Sequence, residues 1–415
     1  MHDEQQKYLY CGEEIMARAE LLATHTEVPG MMTRTYLTPQ HQAAAQQLID
    51  WMLAAGMAVR RDVAGNVIGR YEGLTPEAPA LVTGSHFDTV RNGGKYDGLL
   101  GILLPISCIA QWHRAGRRFP HALEVIGFAE EEGVRFKATL LGSRAIAGSF
   151  DRKVLDNRDA DGISMREAMA QVGFDAALLD QAAWLPHTVR AFVEVHIEQG
   201  PLLLNEDFAV GVVTAISGAT RFTVELSGLA GHAGTVPMHM RRDAAMAAAE
   251  IGLYIEQRCS GQPGLVGTVG MLEVPNGAAN VVPGSARFSI DIRAGQDAMR
   301  LAAVADVVAA IERITERRRI GLQLQQTHEA SSVPCAPWLQ EQLAAAIGAC
   351  GLPVRHLPSG AGHDAMAMAA LADVAMLFVR CGNGGISHHP DETMTAQDAA
   401  HAARVFSRFV EHFGA

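Results

Sequence analysis

The sequence lacks the features typical of a membrane, secreted or nucleic-acid-binding protein. Its longest apolar run, residues 99–110, is shorter than the roughly 20 residues that a membrane-spanning helix needs. The first ten residues, MHDEQQKYLY, are polar and unlike a signal peptide. Lys and Arg number 34 against 45 Asp and Glu, and the formal net charge is −11. We therefore expect neither nucleic acid nor an anionic membrane as a partner.

Cysteine is scarce and scattered. The six cysteines form no CxxC pair and show no spacing typical of a disulfide framework; they lie at positions 11, 108, 259, 335, 350 and 381. Reduced, buried thiols are the simplest expectation, and with them a cytoplasmic protein.

The chain is too long, at 415 residues, for a single compact core. Residues 1–213 and 333–415 alternate apolar strands and helices, which is typical of an α/β domain. Residues 214–332 instead follow the order β-α-β-β-α-β of a small ferredoxin-like α+β sandwich. The pattern predicts a catalytic α/β domain with a mixed sheet flanked by helices, interrupted by an inserted lid.

The periodicity also predicts individual elements. The predicted strands include 80–83, 122–129, 189–195 and 265–274, and the predicted helices include 38–55, 99–115, 297–318 and 363–371. Three of the strands in the α/β domain finish on histidine or acidic residues. In parallel α/β sheets, sites form outside the carboxyl ends of the strands.

The first two polar positions are His86 and Asp97. His86 follows an apolar strand, and Asp88 would project to the same side and accept the other ring N–H of His86; a polar strand end is the alternative. Asp97 stands in the glycine-rich segment 93–98, directly before a helix. A helix N-cap is the simplest interpretation of Asp97, and a carboxylate that bridges two metals is the other.

Acidic and histidine residues follow the remaining strands. Three carboxylates, 130–132, repel one another at a buried strand end unless cations neutralise them, although a surface acidic turn is the alternative. His196 ends another apolar strand, where a core histidine is the commoner explanation, and His388 and His389 lie in a glycine-rich loop. Together these positions offer five ligands and a base, which suits two divalent ions about 3.5–4 Å apart. Spacing alone does not choose the base among 130–132.

Seven segments resemble a known family. They are SHFDTV (85–90), GGKYDG (93–98), AEEEG (129–133), HIEQGP (196–201), GHAGTVP (231–237), SGAGHDAM (359–366) and GISHHPDE (385–392). They are similar to amidases of the hydantoinase/carbamoylase family, which includes allantoate amidohydrolase, N-carbamoyl-L-amino-acid hydrolase and β-ureidopropionase. The resemblance runs from about residue 30 to the C-terminus. It implies a catalytic domain like that of dinuclear zinc aminopeptidases, and a lid that also serves as the dimerisation domain.

The resemblance implies a role for each metal-site residue. His86 and His196 would bind one metal, Glu132 and His388 the other, and Asp97 would bridge the two. Glu131 would be the general base and not a ligand. The expected cofactors are two divalent ions per subunit, Zn²⁺ or Mn²⁺, with Co²⁺ and Ni²⁺ as alternatives, because mixed imidazole and carboxylate sites accept several ions.

The resemblance also implies a substrate site. His232, from the partner subunit of a homodimer, would stabilise the oxyanion. Gln199, Asn280 and Arg293 would hold the substrate, with Arg293 on its carboxylate. Gly362 and His363 would line the pocket. The alternatives are a polar loop residue for His232 and a surface charge for Arg293.

The expected reaction is hydrolysis of the ureido (N-carbamoyl) C–N bond of a small anionic substrate, with release of ammonia and CO2. Allantoate and an N-carbamoyl-L-amino acid both fit, and the segment GMMTR (30–34) slightly favours allantoate. A dinuclear aminopeptidase or deacylase is the second interpretation. A catalytically inactive metal-binding or scaffold protein is the third, and the presence of Glu131 argues against it.

Overall fold

The chain folds into two compact units. The structure is a computed structural model, and it describes residues 2–414. The first unit comprises Met1–Thr214, Cys335–Leu357 and Gly362–Ala415, and the second unit comprises Ala215–Pro334 and Pro358–Ala361. None of the helices within residues 2–414 is long and apolar enough to cross a membrane.

The helices and strands are numbered along the chain. The helices are α1 (His2–Ala23), α2 (Pro39–Ala54), α3 (Leu99–Arg114), α4 (Leu141–Ile146), α5 (Met165–Gln171), α6 (Leu202–Asn205), α7 (Ala244–Ser260), α8 (Asp297–Arg318), α9 (Pro337–Ala349), α10 (Ala365–Met368) and α11 (Ala396–His412). The strands are β1 (Ala58–Arg61), β2 (Val67–Tyr71), β3 (Ala80–His86), β4 (Ala122–Phe128), β5 (Val189–Ile197), β6 (Val210–Ile216), β7 (Gly218–Ser227), β8 (Gly231–His232), β9 (Leu265–Thr268), β10 (Leu272–Glu273), β11 (Val281–Val282), β12 (Ser285–Ala294), β13 (Gly321–Ala330), β14 (Val333–Pro334), β15 (His356–Ser359) and β16 (Val374–Val379).

A mixed sheet organises the first unit. Its strand order is β1-β2-β4-β3-β5-β16-β6, and both β14 and β15 pair with β6. Strands β4, β3, β5 and β16 are parallel, whereas β2 and β6 are antiparallel to their neighbours. Every residue of β3, β4 and β16 is buried, as expected for parallel strands with helices over both faces. The α/β class with a mixed sheet flanked by helices is thereby confirmed.

The second unit is an α+β sandwich. Its antiparallel sheet has the order β10-β12-β7-β13, with β9 also on β12. The inward residues of β7 and β12 share one apolar core with α7 and α8, which includes Phe222, Phe288, Ile251 and Ile311. The opposite face of the sheet carries polar residues. A short ribbon of β8 and β11 stands apart from this sheet.

Three sequence expectations differ from the structure. The strand predicted at 265–274 is two strands, β9 and β10, because the chain has one residue more here than β12 between the pairs Thr268–Asp291 and Leu272–Phe288, which is a β-bulge. The helix predicted at 363–371 is only the short α10. Beyond the predicted 214–332, the second unit also includes Val333 and Pro334, which pair with its residues Ile216 and Ala215, and the segment Pro358–Ala361.

Candidate metal centre

Asp97 lies among three imidazoles. Its Oδ1 is 3.5 Å from His86 Nε2 and 3.3 Å from His196 Nε2, while its Oδ2 is 3.1 Å from His388 Nε2. His86 ends β3, His196 lies near the end of β5, and His388 follows β16. The carboxyl ends of three parallel strands thus bring together ligand-type side chains from distant parts of the sequence.

Gly98 allows this placement of Asp97. Gly98 is the N-cap of α3 with φ +68°, and a Cβ there would lie 2.4 Å from the His86 carbonyl oxygen. A glycine is therefore required for the close approach of the two segments. Interpreting Asp97 as the N-cap was wrong, because Gly98 occupies that position and the Asp97 carboxylate faces the imidazoles instead.

In neutral rings, the nitrogens of His86 and His196 that face Asp97 carry lone pairs, and the lone pair of His196 Nε2 accepts the backbone N–H of Gly98 at 3.2 Å. His196 Nδ1 lies 2.9 Å from the Ile197 carbonyl and His86 Nδ1 lies 3.1 Å from the Asp88 carbonyl, so each Nδ1 carries the proton. The Nε2 lone pairs then point toward a carboxylate oxygen, which is unfavourable unless a proton or a cation lies between them. This donor set fits a divalent metal.

Asp97 is common to two groups of possible metal ligands. His86, Asp97 and His196 form one group, and Asp97, Glu132 and His388 form the other; within each group the ligand atoms lie within 4.8 Å of one another. Asp97 directs a different oxygen to each group, since Oδ1 faces His86 and His196 and Oδ2 faces His388. The Asp97 carboxylate is therefore shared between the two groups, with one oxygen directed to each.

Asp88 ties the acidic segment to His86. Its Oδ1 and Oδ2 accept the backbone N–H groups of Glu131 and Glu132 at 3.0 Å and 3.2 Å. Burial and the charge of Glu132 raise the pKa of the Glu131 carboxyl well above its usual range. Burial and the charge of Asp97 raise the pKa of Glu132 to about 7. Carboxylates gathered in this way need positive charge among them to be ionised together.

Sequence reasoning gave no role to two buried glutamates of this centre. Glu392 Oε1 accepts the backbone N–H groups of Tyr96 and Asp97 at 2.9 Å and 3.1 Å, and its Oε2 accepts the Ser387 hydroxyl at 2.7 Å. No sequence spacing points to Glu392, because its two backbone donors, Tyr96 and Asp97, are nearly 300 positions away. Glu194 had a usable signal, since it precedes His196 by two on the same strand and so shares its face.

Glu194 and His363 lie beside His196. The Glu194 carboxylate accepts the Ser85 hydroxyl at 2.7 Å and the Ala365 N–H at 2.9 Å. The His363 ring packs edge-on against His196 with the ring centroids 4.5 Å apart. Burial and the neighbouring His196 lower the pKa of His363 well below its usual range, which keeps this imidazole neutral.

Gln199 and Gly362 border the same centre. Gln199 Nε2 is 3.1 Å from Asp97 Oδ2 and 3.4 Å from His388 Nε2. Its buried Oε1 has no hydrogen-bond partner within the part of the chain that the structure describes. A Cβ at Gly362 would lie 3.8 Å from Glu131 Oε1, so Gly362 leaves space next to that carboxylate.

The other predicted substrate residues belong to the second unit. His232 on β8 pairs with Val281 of β11, and Asn280 directly precedes β11. His232 Nδ1 accepts the Gly234 N–H at 3.1 Å, which leaves the proton of a neutral ring on Nε2 as a donor. Arg293, on β12, pairs with Asp291 at 2.8 Å.

The chain resembles known proteins over nearly its whole length. The model of "Peptidase family M20/M25/M40" matches residues 82–412. An N-carbamoyl-L-amino acid amidohydrolase of Geobacillus stearothermophilus is 38% identical over 395 residues, covering 95% of this chain and 96% of the relative. An allantoate deiminase of Arabidopsis thaliana is 38% identical over 441 residues, covering 99% and 83%. The crystal structure of a hydantoinase/carbamoylase family amidase from Burkholderia multivorans matches with a TM-score of 0.90, 30% identity and coverage of 96% and 97%.

Fold, donor set and relatives together define a metal-dependent amidohydrolase. The chain belongs to peptidase family M20/M25/M40 and, within it, to the amidases of the hydantoinase/carbamoylase family. The family resemblance inferred from the seven motifs is confirmed.

Proposed function

We propose that this enzyme hydrolyses the ureido C–N bond of a small carboxylate substrate, either allantoate or an N-carbamoyl-L-amino acid, and releases ammonia and CO2. The main support is Asp97, whose two oxygens serve two adjacent ligand groups beside the acidic residue Glu131. The named relatives act on compounds of both types, so identity alone does not favour one substrate.

The proposed centre holds two divalent ions in each subunit, with Zn²⁺ or Mn²⁺ as first choices and Co²⁺ or Ni²⁺ as alternatives. His86 and His196 would hold one ion, Glu132 and His388 would hold the other, and Asp97 would be shared between the two. When bound, such ions polarise the scissile carbonyl and lower the pKa of water. Asp88 orients His86 through the Nδ1 side and fixes the backbone of the acidic segment through two hydrogen bonds.

Glu131 is proposed as the general base. Glu131 lies within a group of possible metal ligands with His86 and Glu132, but it belongs to neither of the two groups that contain Asp97. A carboxyl group whose pKa is raised by burial is suited to take a proton from water and return it to the leaving nitrogen. Gly362 keeps the space in front of Glu131 open for the substrate.

The substrate is proposed to contact five residues. Arg293 binds its carboxylate, and Asn280, Gln199 and His363 contact its polar groups. His232, contributed by the partner subunit of a homodimer, donates its Nε2–H to the developing oxyanion. The tautomer that Gly234 imposes on a neutral His232 supports this donor role.

The homodimer is proposed to form through the second unit, which acts as the lid. Four of its apolar side chains are largely exposed within a single chain: Leu229 at 62%, Met238 at 77%, Met240 at 59% and Leu253 at 66%. Exposed apolar residues of this size are typical of surfaces that bind another protein. The cytoplasm remains the proposed compartment, and the six free, buried cysteines are compatible with it.

Ammonia release from a panel of compounds tests the proposed function. Metal-reconstituted enzyme is assayed with allantoate, N-carbamoyl-L-amino acids and N-carbamoyl-β-alanine, with dipeptides and N-acyl amino acids as the comparison. Turnover of a ureido carboxylate in clear excess over any peptide is expected. Preference for dipeptides or acyl amides would replace the proposal with an aminopeptidase or deacylase.

A further inference from the structure

Arg293 is held along one edge of its guanidinium group. Its Nε donates to Asp291 Oδ1 at 3.0 Å and its Nη2 donates to Asp291 Oδ2 at 2.8 Å. This is the planar two-bond arrangement in which an arginine is best oriented by a carboxylate. Asp291 and Arg293 are two positions apart on β12, so their side chains project from the same face of the sheet.

The opposite end of the guanidinium is less engaged. Nη1 donates one hydrogen bond, to the Gly360 carbonyl at 2.8 Å. Nη1 and Nη2 therefore each keep one further N–H that has no hydrogen-bond acceptor among residues 2–414. N–H groups on adjacent nitrogen atoms are what the two oxygens of a ligand carboxylate require.

The surroundings keep this end accessible and positively charged. Arg293 and Asp291 border a cavity of about 550 Å³ on the polar face of the second unit's sheet, together with Arg221 and Gly360. Arg221 Nε also donates to Asp291 Oδ2, at 3.0 Å. Two guanidinium groups thus share one carboxylate, and the three side chains carry a net positive charge.

We propose that Asp291 is a positioning residue for substrate recognition: it fixes the Nε–Nη2 edge of Arg293 so that the Nη1–Nη2 end faces the substrate carboxylate. The idea rests on the proposed function, in which Arg293 binds that carboxylate. Without Asp291 the Arg293 side chain would populate several rotamers. Substrate binding would then have to fix one of them, and this entropy cost would weaken the affinity.

Steady-state kinetics of Asp291→Asn test the proposal. The substrates are allantoate and N-carbamoyl-L-alanine, each compared with its carboxamide analogue. We expect KM for the carboxylates to rise about ten-fold, the effect of losing one charge-assisted orienting contact, with kcat within about two-fold. The carboxamides should show no change. In an Arg293→Ala background Asp291→Asn should have no further effect, because it acts through that arginine.

Glu225→Gln is the matched control. It removes the cross-strand ion pair of Glu225 with Arg287 from the same two strands, β7 and β12, and KM should be unchanged. An unchanged KM in Asp291→Asn, or an equal rise for carboxylates and carboxamides, would overturn the proposal. Thermal melting checks folding, and Asp291→Ser replaces the Asn variant if that one melts below the assay temperature.

A binding measurement separates this proposal from the function on which it rests. Calorimetric titration of the same carboxylates is carried out with Glu131→Gln and with Glu131→Gln/Asp291→Asn. Weaker binding only in the double variant supports the role of Asp291, and equal binding contradicts it. If the wild-type enzyme hydrolyses no ureido compound, the proposed function fails on the kinetic assay, while the calorimetry still decides about Asp291.

Discussion

The carboxylate of Glu392 accepts the backbone N–H of Asp97 at 3.1 Å, although 295 positions separate the two residues. The same carboxylate accepts the hydroxyl of Ser387, next to His388. Glu392 therefore connects the segment that carries Asp97 with the loop that carries His388. Two proposed ligands from opposite parts of the chain are kept at their 3.1 Å separation by a residue that binds neither of their side chains.

Glu392→Ala should weaken metal binding more than Glu392→Gln. The alanine leaves the buried N–H groups of Tyr96 and Asp97 without an acceptor, at a cost of about 1–3 kcal/mol each. The glutamine retains an oxygen for these two donors and changes only the contact with Ser387. Competition with a chromogenic chelator measures the affinity. Equal affinity in the alanine variant and the wild type would show that the two segments are positioned by other contacts.

Glu131→Gln should retain bound metal and lose about 10²–10⁴-fold in kcat, the usual contribution of a general base. The amide preserves the volume of the side chain but cannot take a proton from water. Metal content by mass spectrometry and kcat on the best ureido substrate are measured together. Substantial activity with full metal content would remove Glu131 from the role of base.

Arg293→Ala should raise KM for carboxylate substrates about 10–100-fold, as expected for the loss of a charge-assisted pair worth about 1.5–3 kcal/mol. Metal content should not change, since Arg293 belongs to the second unit and to neither ligand group. Arg287→Ala, on the same strand, is the control. An unchanged KM would show that Arg293 is a surface residue of the sheet with no role in substrate binding.

The metal-free protein should become less stable as the pH rises to about 9. The hydrogen bond to Asp97 raises the pKa of His388 to about 9, and this stabilisation is present below the ordinary value of 6.5 and lost between 6.5 and 9. Burial and Asp97 raise the pKa of Glu132 to about 7, so ionising Glu132 costs stability between 4.5 and 7. Both shifts therefore lower the stability of the metal-free protein as the pH rises.

The melting temperature of chelator-treated protein at pH 5 to 9 measures this dependence. Metal-loaded protein should show a smaller fall, because His388 must be neutral and Glu132 ionised to bind metal, and metal affinity therefore increases with pH. His388→Ala should reduce the part of the dependence above pH 7. A metal-free protein that becomes more stable over this range would contradict the proposed protonation states.

The sequence predicted the elements that carry a strong periodic signal. Helix 297–318 has the predicted bounds, and strand 122–129 differs from β4 by one residue. Apolar strands ending on His86, the acidic segment and His196 were recognisable because parallel strands place their carboxyl ends together. The sequence pattern alone therefore predicted that these residues lie close together.

Other features depend on contacts that leave no local pattern. The bulge between β9 and β10 follows from pairing with β12, and Pro358–Ala361 joins the second unit only through the fold. Glu392 looks like any acidic loop residue until its distant partners are known. The pairing of Arg293 with Asp291 could be inferred from their spacing on one strand. The additional hydrogen bond from Arg221 to Asp291 could not, because it depends on the register between β7 and β12.

The antiparallel pairing of Ala215 with Pro334 has a consequence for how this protein could be rebuilt. The chain enters the second unit after Thr214 and leaves it after Pro334, and the paired strands β6 and β14 lie one strand spacing of about 4.8 Å apart. A short turn would therefore close the gap if the intervening residues were excised. Because its two ends lie side by side, the inserted segment could be exchanged between related enzymes at this one place. The length of the backbone that carries the proposed metal ligands would not change.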